Sequence, residues 1–569
     1  MKNLEIAKIL HGIADILELQ EVPWKPQAYR KAALAIETLS EDIEEIYKRS
    51  ELEEIPGVGE HIARKIEEII KTGKLKYYEE LKKKVPLKLD ELMSVPGLGP
   101  KKIKLLYQKL KVKSIKDLEE AAKKQKIRKI KTLGAVTEEN ILRGIELAKG
   151  AKRFPLGRIM PLAEEIKQKL LSQPFIKRVE IAGSYRRKKE TVGDIDILSI
   201  SDKPAETMDF FTKMPGVKSI LAKGTTKSII VLNNNLQVDI RVLPEKEFGS
   251  ALQYFTGDKE HNIAVRKIAL KKGYTLSEYG LFELKTKKWL AGRSEEEIYQ
   301  KLGMQMPPPE IRTNSGEVEA ALAHKLPKLV EYKEVHADFH IHSDFSDGDN
   351  SLEEMIAAAK KLGHQSIAVT DHMGPLKIAH ALDEKRLQKY VQEIERVGRK
   401  VPEINVLIGA EVDIDKNGNL TATKKMLSRL DFVLAAVHSS FKMPEKEMTA
   451  RIIHAFENYS VNALAHPSGR LINQRESYLF DQEKVFQAAK DKNIFLEINA
   501  FPDRLDLNGE LIRKALQFGC KFTIGTDSHN REQLKFIELG TATARCGWLE
   551  KKDLLNCWDA KKIGKALER

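Results

Sequence analysis

The stretch Val179-Glu180-Ile181-Ala182-Gly183-Ser184-Tyr185-Arg186-Arg187, followed by Thr191-Val192-Gly193-Asp194-Ile195-Asp196-Ile197-Leu198, decides how the middle of this chain is read. A short apolar run leads into Gly183-Ser184, and acids then alternate with aliphatic residues. In a strand, residues i and i+2 share a face, so Asp194 and Asp196 point one way while Ile195 and Ile197 pack behind them. Two carboxylates about 7 Å apart along one face repel unless a cation sits between them. Hard oxygen ligands suit Mg²⁺ or Mn²⁺. Leu236–Val242 is a second alternating strand that can pair beside the first and bring Asp239 as a third acid. Three carboxylates on adjacent strands can hold two ions about 4 Å apart, which clamps the attacking and leaving oxygens in phosphoryl transfer. Gly183 and Ser184 leave a strand for a turn or helix start, where free backbone N–H groups bind phosphate oxygens. Arg186 and Arg187 add charge for a triphosphate. A solvated Asp-x-Asp on an edge strand is the alternative, and the flanking Gly-Ser and Asp239-Ile240-Arg241 weigh against it.

This pattern resembles the nucleotidyltransferase palm, and in detail that of the family X DNA polymerases, the group that includes DNA polymerase beta. The resemblance implies that Asp194 and Asp196 ligate both ions and that Asp239 contacts only the one beside the primer 3′-hydroxyl. Gly183, Ser184, Arg187 and Gly193 would bind the nucleotide, with Ser184, Arg187 and Gly193 on the β- and γ-phosphates. The chemistry implied is in-line attack of the 3′-hydroxyl on the α-phosphorus, with pyrophosphate leaving. Phe248–Arg266 resembles the family's nucleotide-binding segment. By residue match Tyr254, Phe255 and Gly257 line the sugar side, Asn262 touches the base in the minor groove, and Arg266 touches the templating strand. Gln237 departs from the family, which carries arginine there, beside the catalytic Asp239.

At 569 residues the chain is too long for one core and should hold three or more domains. No apolar run reaches the roughly 18 residues that span a bilayer, and Met1-Lys2-Asn3-Leu4-Glu5 lacks the apolar core of a signal peptide. A cytoplasmic protein with no membrane partner is expected. Cys520, Cys546 and Cys557 are too few and scattered for a disulfide framework or a thiolate zinc site. The formal net charge of +14 lies wholly in residues 1–335, while 336–569 is neutral. A polyanion partner would therefore bind the first part through phosphate contacts. Most of the 14 histidines lie in the second part, so two chemistries share the chain.

Residues 1–150 read as helical and repetitive, with apolar residues at helical spacing through Leu4–Leu19, Ala28–Leu39 and Ile62–Ile70. Ile55-Pro56-Gly57-Val58-Gly59 before a helix at His61–Ile70 is nearly copied by Val95-Pro96-Gly97-Leu98-Gly99 before Lys101–Leu110. Leu133-Gly134-Ala135-Val136-Thr137 keeps the shape but loses the second glycine. Two glycines allow a tight turn with amides exposed at a helix N-terminus, which suits a DNA phosphate. This resembles the helix-hairpin-helix motif, whose contacts at Gly57, Gly59, Gly97 and Gly99 would position the backbone without reading sequence. Gly57–Ile66 also looks like the small N-terminal domain of polymerase beta. That likeness implies a 5′-phosphate pocket at Lys25 and Tyr29, and a Schiff-base lyase role for Lys65, with His61 departing from the family's lysine. A solvated helical lysine is the alternative for Lys65, since an unshifted amine is mostly protonated.

In the last part, His340-Ile341-His342 precedes Asp347, and Asp371-His372, Glu411, His438, His466 and Asp527-Ser528-His529 each follow a short aliphatic run. Strand–loop–helix repetition with polar residues at strand C-termini is how a β/α barrel builds a site. Mixed imidazole and carboxylate ligation favours Zn²⁺, Mn²⁺ or Fe²⁺. His340, His342, Asp347, His372, Glu411, His438, His466, Asp527 and His529 resemble the full ligand set of the PHP (polymerase and histidinol phosphatase) domain. That resemblance implies up to three Zn²⁺ or Mn²⁺ ions and a 3′→5′ exonuclease, with AP-endonuclease or 3′-phosphatase activity as further options. His336, His364, His380 and His454 fall outside the motifs and read as packed or solvated.

The expected architecture is multidomain. It runs as a helical 5′-phosphate-binding domain with helix-hairpin-helix over 1–85, a second helix-hairpin-helix domain over 86–150, and an α+β nucleotidyltransferase palm over 151–245. A nucleotide-selecting subdomain over 246–315, a linker over 316–335 and a distorted (β/α)7 PHP barrel over 336–569 complete it. The resemblance implies a monomeric repair polymerase acting on gapped or primer-template DNA with dNTPs. Two alternatives stay open: a DNA-tethered PHP phosphoesterase with a structural palm, or a polymerase with a structural barrel.

Overall fold

The computed structural model describes residues 2–568 other than 21, 38–42, 56, 85–86, 94, 96–97, 131, 135–136, 140, 143–144, 146–152 and 375–379. They fall into two compact units. One holds Met1–Arg153, Leu170–Glu180 and Gly193–Met306; the other holds Phe154–Lys169, Ile181–Val192 and Pro307–Arg569.

In the first unit, helix Lys2–Leu19 presents Ile6, Leu10, Ile13 and Leu17 at helical spacing to Ala32, Ala33 and Ile36 of helix Lys25–Glu37. This second helix starts three residues earlier than its periodicity suggests. Pro26 occupies its first turn, where a missing N–H costs nothing. Helix Glu60–Thr72 buries Ile62, Ala63, Ile66 and Ile69 in the same core and ends on Gly73 at φ 71°. A separate core gathers Ile103 and Leu106 of helix Pro100–Leu110 with Leu118 and Ala122 of helix Ile115–Lys123. Gly59 and Gly99 are the two N-cap residues, both with extended backbone. Gly97 and the dipeptide 135–136 of the third copy lie outside the described residues.

The same unit contains a five-stranded sheet in the order Ile176–Ile181, Asp194–Ser201, Gln237–Val242, Lys227–Leu232, Val217–Lys223. Asp194–Ser201 and Gln237–Val242 run parallel, whereas Gln237–Val242 with Lys227–Leu232 and Lys227–Leu232 with Val217–Lys223 are antiparallel. Met208 and Phe211 of helix Pro204–Thr212 are buried. Helices Phe248–Thr256 and Lys259–Lys271 lead into a three-stranded antiparallel sheet of Tyr274–Ser277, Gly280–Glu283 and Trp289–Ala291.

The second unit is built on parallel strands in the order Ala337–Ile341, Ser366–Val369, Asn405–Asp413, Phe432–Ala436, Ala463–Leu464, Phe495–Asn499, Phe522–Gly525. The ring nearly closes: His342 N donates to Ser528 O at 2.8 Å and Asp527 N donates to His340 O at 2.9 Å. Residues alternate across it, as a pleat requires. Phe432, Leu434 and Ala436 join one core with Phe339 and Phe495. Val433, Ala435 and Val437 join another with helices such as Leu352–Lys361 and Glu445–Asn458. Such a ring of parallel strands leaves the strand C-termini to carry chemistry.

Two short segments preceding the palm acids are packed into this second unit. Arg158, in helix Leu156–Leu171, grips Asp503 with both its Nε, at 2.8 Å, and its Nη2. Arg470 pairs with Glu190 at 2.7 Å. Gly157 lies where a Cβ would strike Pro502 and Leu539. The helix itself starts at Leu156, and Pro161 falls within it.

Candidate active sites

The palm acids follow from strand register. Asp196 lies beside Asp239 and Asp194 beside Gln237 in the parallel pair. Ile195, Ile197, Val238 and Ile240 are buried, whereas Asp194 is exposed and Asp196 and Asp239 are half-buried. One face of the sheet is thus a carboxylate face and the other is core. Burial raises the Asp239 carboxyl above its ordinary range, opposed by a 2.8 Å bond from Gln237 Nε2 and by Lys227 at 3.8 Å, and reinforced by Asp194. A buried acid pushed upward by a neighbouring acid is a site that a cation relieves. Gln237 therefore does in neutral form what an arginine does with charge: it orients Asp239 without offsetting its negative charge.

The segment after the palm puts its aromatic pair at the end of a helix. Tyr254 and Phe255 close helix Phe248–Thr256, and Gly257 follows at φ 68°. Arg266 stacks over the Tyr254 ring at 5.1 Å and Arg241 over Phe255 at 4.7 Å. Asn262 Nδ2 donates to Tyr254 O at 2.7 Å while its Oδ1 accepts from Gln253 Nε2 at 2.8 Å. Tyr254, Phe255, Asn262 and Arg266 are therefore one connected group. In the second unit, Gly183 turns the chain at φ 63° into the short helix Gly183–Arg186, which carries Ser184, and Arg187 is its C-cap. Tyr185 anchors that turn through its hydroxyl to Glu164 at 2.9 Å. Gly193 is a partly buried residue of the first unit near Arg153.

In the N-terminal helices, Lys65 Nζ lies 4.9 Å from the Tyr77 ring centre and 3.1 Å from His61 O. Burial lowers its pKa, with Lys25 adding to the effect. Lys65 and Lys25 are thus electrostatic neighbours. Tyr29 is buried and pushed up to about 12 by burial and Tyr77. Gly59 and Gly99 face open space where a Cβ would stand, so both helix N-termini are accessible.

The barrel brings all nine of its expected side chains together. Three groups form, each with ligand atoms within 4.8 Å of one another: His342, Asp347, His372 and His529; His340, His342 and Asp527; Glu411, His438 and His466. By contrast, no such group forms at the palm acids among the described residues. Glu411 sits at the centre. Its Oε1 lies 3.0 Å from His466 Nε2 and 3.2 Å from His438 Nε2, and its Oε2 lies 3.0 Å from His372 Nδ1. The Nε2 atoms of His340 and His342 face each other at 3.1 Å, as do those of His438 and His466 at 3.2 Å. Two imidazole lone pairs cannot face each other unless a proton or a cation stands between them. The buried Nδ1 atoms of His342 and His466 have no hydrogen-bond partner. Facing imidazole nitrogens with carboxylate oxygens among them fit divalent metal ions.

The electrostatics agree. Burial and the neighbouring His372 hold His342 down to about 3, and burial with Arg504 holds His466 down to about 3, so both rings stay neutral ligands. Burial opposes a charge on His438, yet Glu411 and Asp413 hold it up to about 10. Behind the ligands stand residues that the motif reading passed over. Glu497 accepts from His340 Nδ1 at 2.6 Å and from the His466 amide at 2.5 Å. Asp413 faces His438 Nδ1 at 2.5 Å. Glu497 is the one acid of strand Phe495–Asn499, and Asp413 lies two residues after Glu411 on strand Asn405–Asp413. Carboxylates behind metal-bound imidazoles fix the tautomer and aim the ring. The site opens on a cavity of about 600 Å³.

A helix-hairpin-helix domain family matches residues 1–75, a SAM-like helix-hairpin-helix tandem 89–146, the DNA polymerase beta thumb 251–313 and the PHP domain 338–501. These matches define a polymerase of the beta type joined to a metal-dependent phosphoesterase barrel. The chain is 37% identical to the DNA polymerase/3'-5' exonuclease PolX of Bacillus subtilis (strain 168) over 573 residues, covering 100% of both. DNA polymerase lambda of Rattus norvegicus is 27% identical over 49% of each chain. A probable phosphatase of Thermoanaerobacter sp. (strain X514) is 31% identical over 34% of this chain and 78% of its own length. The chain belongs to the PolX family, the family X DNA polymerases that carry a C-terminal PHP domain.

Proposed function

We propose that this chain is a DNA-directed DNA polymerase that fills short gaps in DNA repair and trims 3′ ends with a separate 3′→5′ exonuclease site. The full-length likeness to a polymerase/3'-5' exonuclease carries the reading, supported by nine barrel side chains that converge in three groups. No described helix is long and apolar enough to cross a membrane. DNA is the partner, dNTPs the substrate, and the protein acts as a monomer in the cytoplasm.

Asp194, Asp196 and Asp239 would hold Mg²⁺ or Mn²⁺, which supplies charge neutralisation at the reacting phosphate when bound. Asp239, held by a hydrogen bond from Gln237, would contact only the ion beside the primer 3′-hydroxyl. Gly183, Ser184, Arg187 and Gly193 bind the triphosphate. Tyr254, Phe255 and Gly257 line the sugar side of the incoming nucleotide, Asn262 touches the base in the minor groove, and Arg266 touches the templating strand. The Gln253–Asn262–Tyr254 hydrogen bonds hold that group in one geometry before the nucleotide arrives. Gly57 and Gly59, with Gly97 and Gly99, grip the duplex backbone. Lys25 and Tyr29 take a 5′-phosphate, and the burial-lowered Lys65 amine is poised for a Schiff base in base excision repair.

In the barrel, His340, His342, Asp347, His372, Glu411, His438, His466, Asp527 and His529 would hold up to three Zn²⁺ or Mn²⁺ ions. The likeness to a probable phosphatase supports phosphomonoester hydrolysis as a second activity of the same site. The test uses a gapped primer-template with dNTPs and Mn²⁺. Asp239→Ala abolishes extension and leaves primer degradation; His342→Ala does the reverse. One substitution that removed both activities would refute the two-site assignment.

A further inference from the structure

Among the described residues, an arginine shares the cavity with the barrel ligands. Arg504 lines it together with Phe501, Leu471, Gln474, Glu411 and Asp527. Its Nε lies 3.3 Å from Asp527 Oδ2, and its buried Nη1 has no hydrogen-bond partner. An arginine kept in a site already rich in positively chargeable imidazoles is not there to offset carboxylates alone. A guanidinium with a free, buried donor is matched by an anion with tetrahedral or planar oxygens. Its surroundings are fixed rather than mobile. The preceding Asp503 is gripped by Arg158, and Arg504 N donates to Phe501 O at 2.8 Å. That bond closes the turn which sets Phe501 and Arg504 on the same cavity. Phe501 is half-buried and braced edge-on by Phe536, ring centres 5.6 Å apart. A braced aromatic ring a few residues from a free guanidinium is what a nucleotide end requires: a face for the base and a fork for the phosphate.

Resting on the exonuclease reading above, we propose that Phe501 and Arg504 form the subsite for the 3′-terminal nucleotide, with the base against the Phe501 ring and a phosphate oxygen on Arg504 Nη1. Arg504 thereby places the phosphate against the ligand cluster, and Phe501 gives the barrel its preference for a nucleotide over a bare phosphomonoester.

The test is calorimetric titration of the full-length, Mn²⁺-loaded protein with inorganic phosphate and, separately, with dAMP, with Mn²⁺ binding followed by electron paramagnetic resonance. Arg504→Ala should weaken both ligands roughly 10- to 100-fold, and Arg504→Lys should recover part of the loss. Phe501→Ala should weaken dAMP roughly 5- to 100-fold and leave inorganic phosphate unchanged. Mn²⁺ stoichiometry should hold in every variant. Phosphate affinity unchanged in Arg504→Ala, or lost only in step with Mn²⁺, overturns the proposal, because Arg504 then merely orients Asp527. Phosphate and dAMP weakened equally by Phe501→Ala overturns the base platform. These outcomes are separate from the parent reading, which fails instead if His342→Ala still degrades primer.

Discussion

Glu497→Gln isolates what a buried carboxylate behind the metal ligands contributes. Its Oε1 accepts from His340 Nδ1 at 2.6 Å and its Oε2 accepts from the His466 amide at 2.5 Å and from Asn499 Nδ2 at 3.3 Å, so it positions one residue in each of two ligand groups. Glutamine keeps the shape, so no cavity is opened, but it keeps one acceptor oxygen and turns an amide NH₂ toward the donor on the other side. It therefore weakens the bond it keeps, by removing the charge, and loses the other. A hydrogen bond to a charged group is worth about 1.5–3 kcal/mol against about 0.5–1.5 kcal/mol for a neutral one, so weakening one and losing the other costs on the order of 2.5–4.5 kcal/mol. That corresponds to roughly 70- to 2,000-fold, reaching above the usual 10- to 100-fold effect of removing a carboxylate behind a metal-bound histidine. The assay titrates Mn²⁺ by electron paramagnetic resonance, alongside degradation of a labelled primer and extension with dNTPs on a gapped template. Mn²⁺ affinity and degradation should fall together while extension stays within twofold. Unchanged Mn²⁺ affinity would refute the orienting role, and a parallel loss of extension would refute the independence of the two sites.

Further substitutions address other parts of the chain. Gly59→Ala with Gly99→Ala should leave the melting temperature unchanged, because both positions have extended backbone and open space; duplex affinity should fall about 3- to 10-fold, as each methyl stands between an amide and its phosphate. Gly525→Ala should lower the melting temperature and abolish primer degradation, because its Cβ would collide with His340 and Glu497; overpacking of this kind costs about 1–3 kcal/mol. Lys65→Ala should abolish borohydride trapping on a 5′-deoxyribose phosphate end while Lys65→Arg keeps end binding; trapping that survives in Lys65→Ala would assign the amine elsewhere. Asn262→Ala should raise the dNTP KM about 10-fold and reduce discrimination of mispaired termini, with primer degradation unaltered.

The parts legible in the sequence are those where chemistry and periodicity coincide. Asp194 and Asp196 share a face because a strand repeats every two residues, and the same rule put Asp239 in register with Asp196. The barrel ligands were legible because each histidine or acid ends an aliphatic run, and strand C-termini converge by construction. Glu497 and Asp413 were passed over because their roles depend on which ring nitrogen they meet, a tertiary fact that no spacing encodes. Arg504 was hidden for a related reason: its place in the cavity depends on a loop turn, not on an element. The helix at Lys25 starts a few residues before its periodic apolar stretch, because a proline fits its first turn. Grouping Gly183–Arg187 with the barrel residues rests on long-range pairs such as Arg470–Glu190.

That grouping bears on how the gene can be cut. A fragment ended before the barrel would inherit Gly183, Ser184 and Arg187 but not Arg470, Asp503 or Cys546, the residues against which their flanking segments rest. Losing the nuclease half by truncation is therefore a different lesion from silencing it by point substitution. In a shortened chain, other residues would have to seat the Gly183–Arg187 turn.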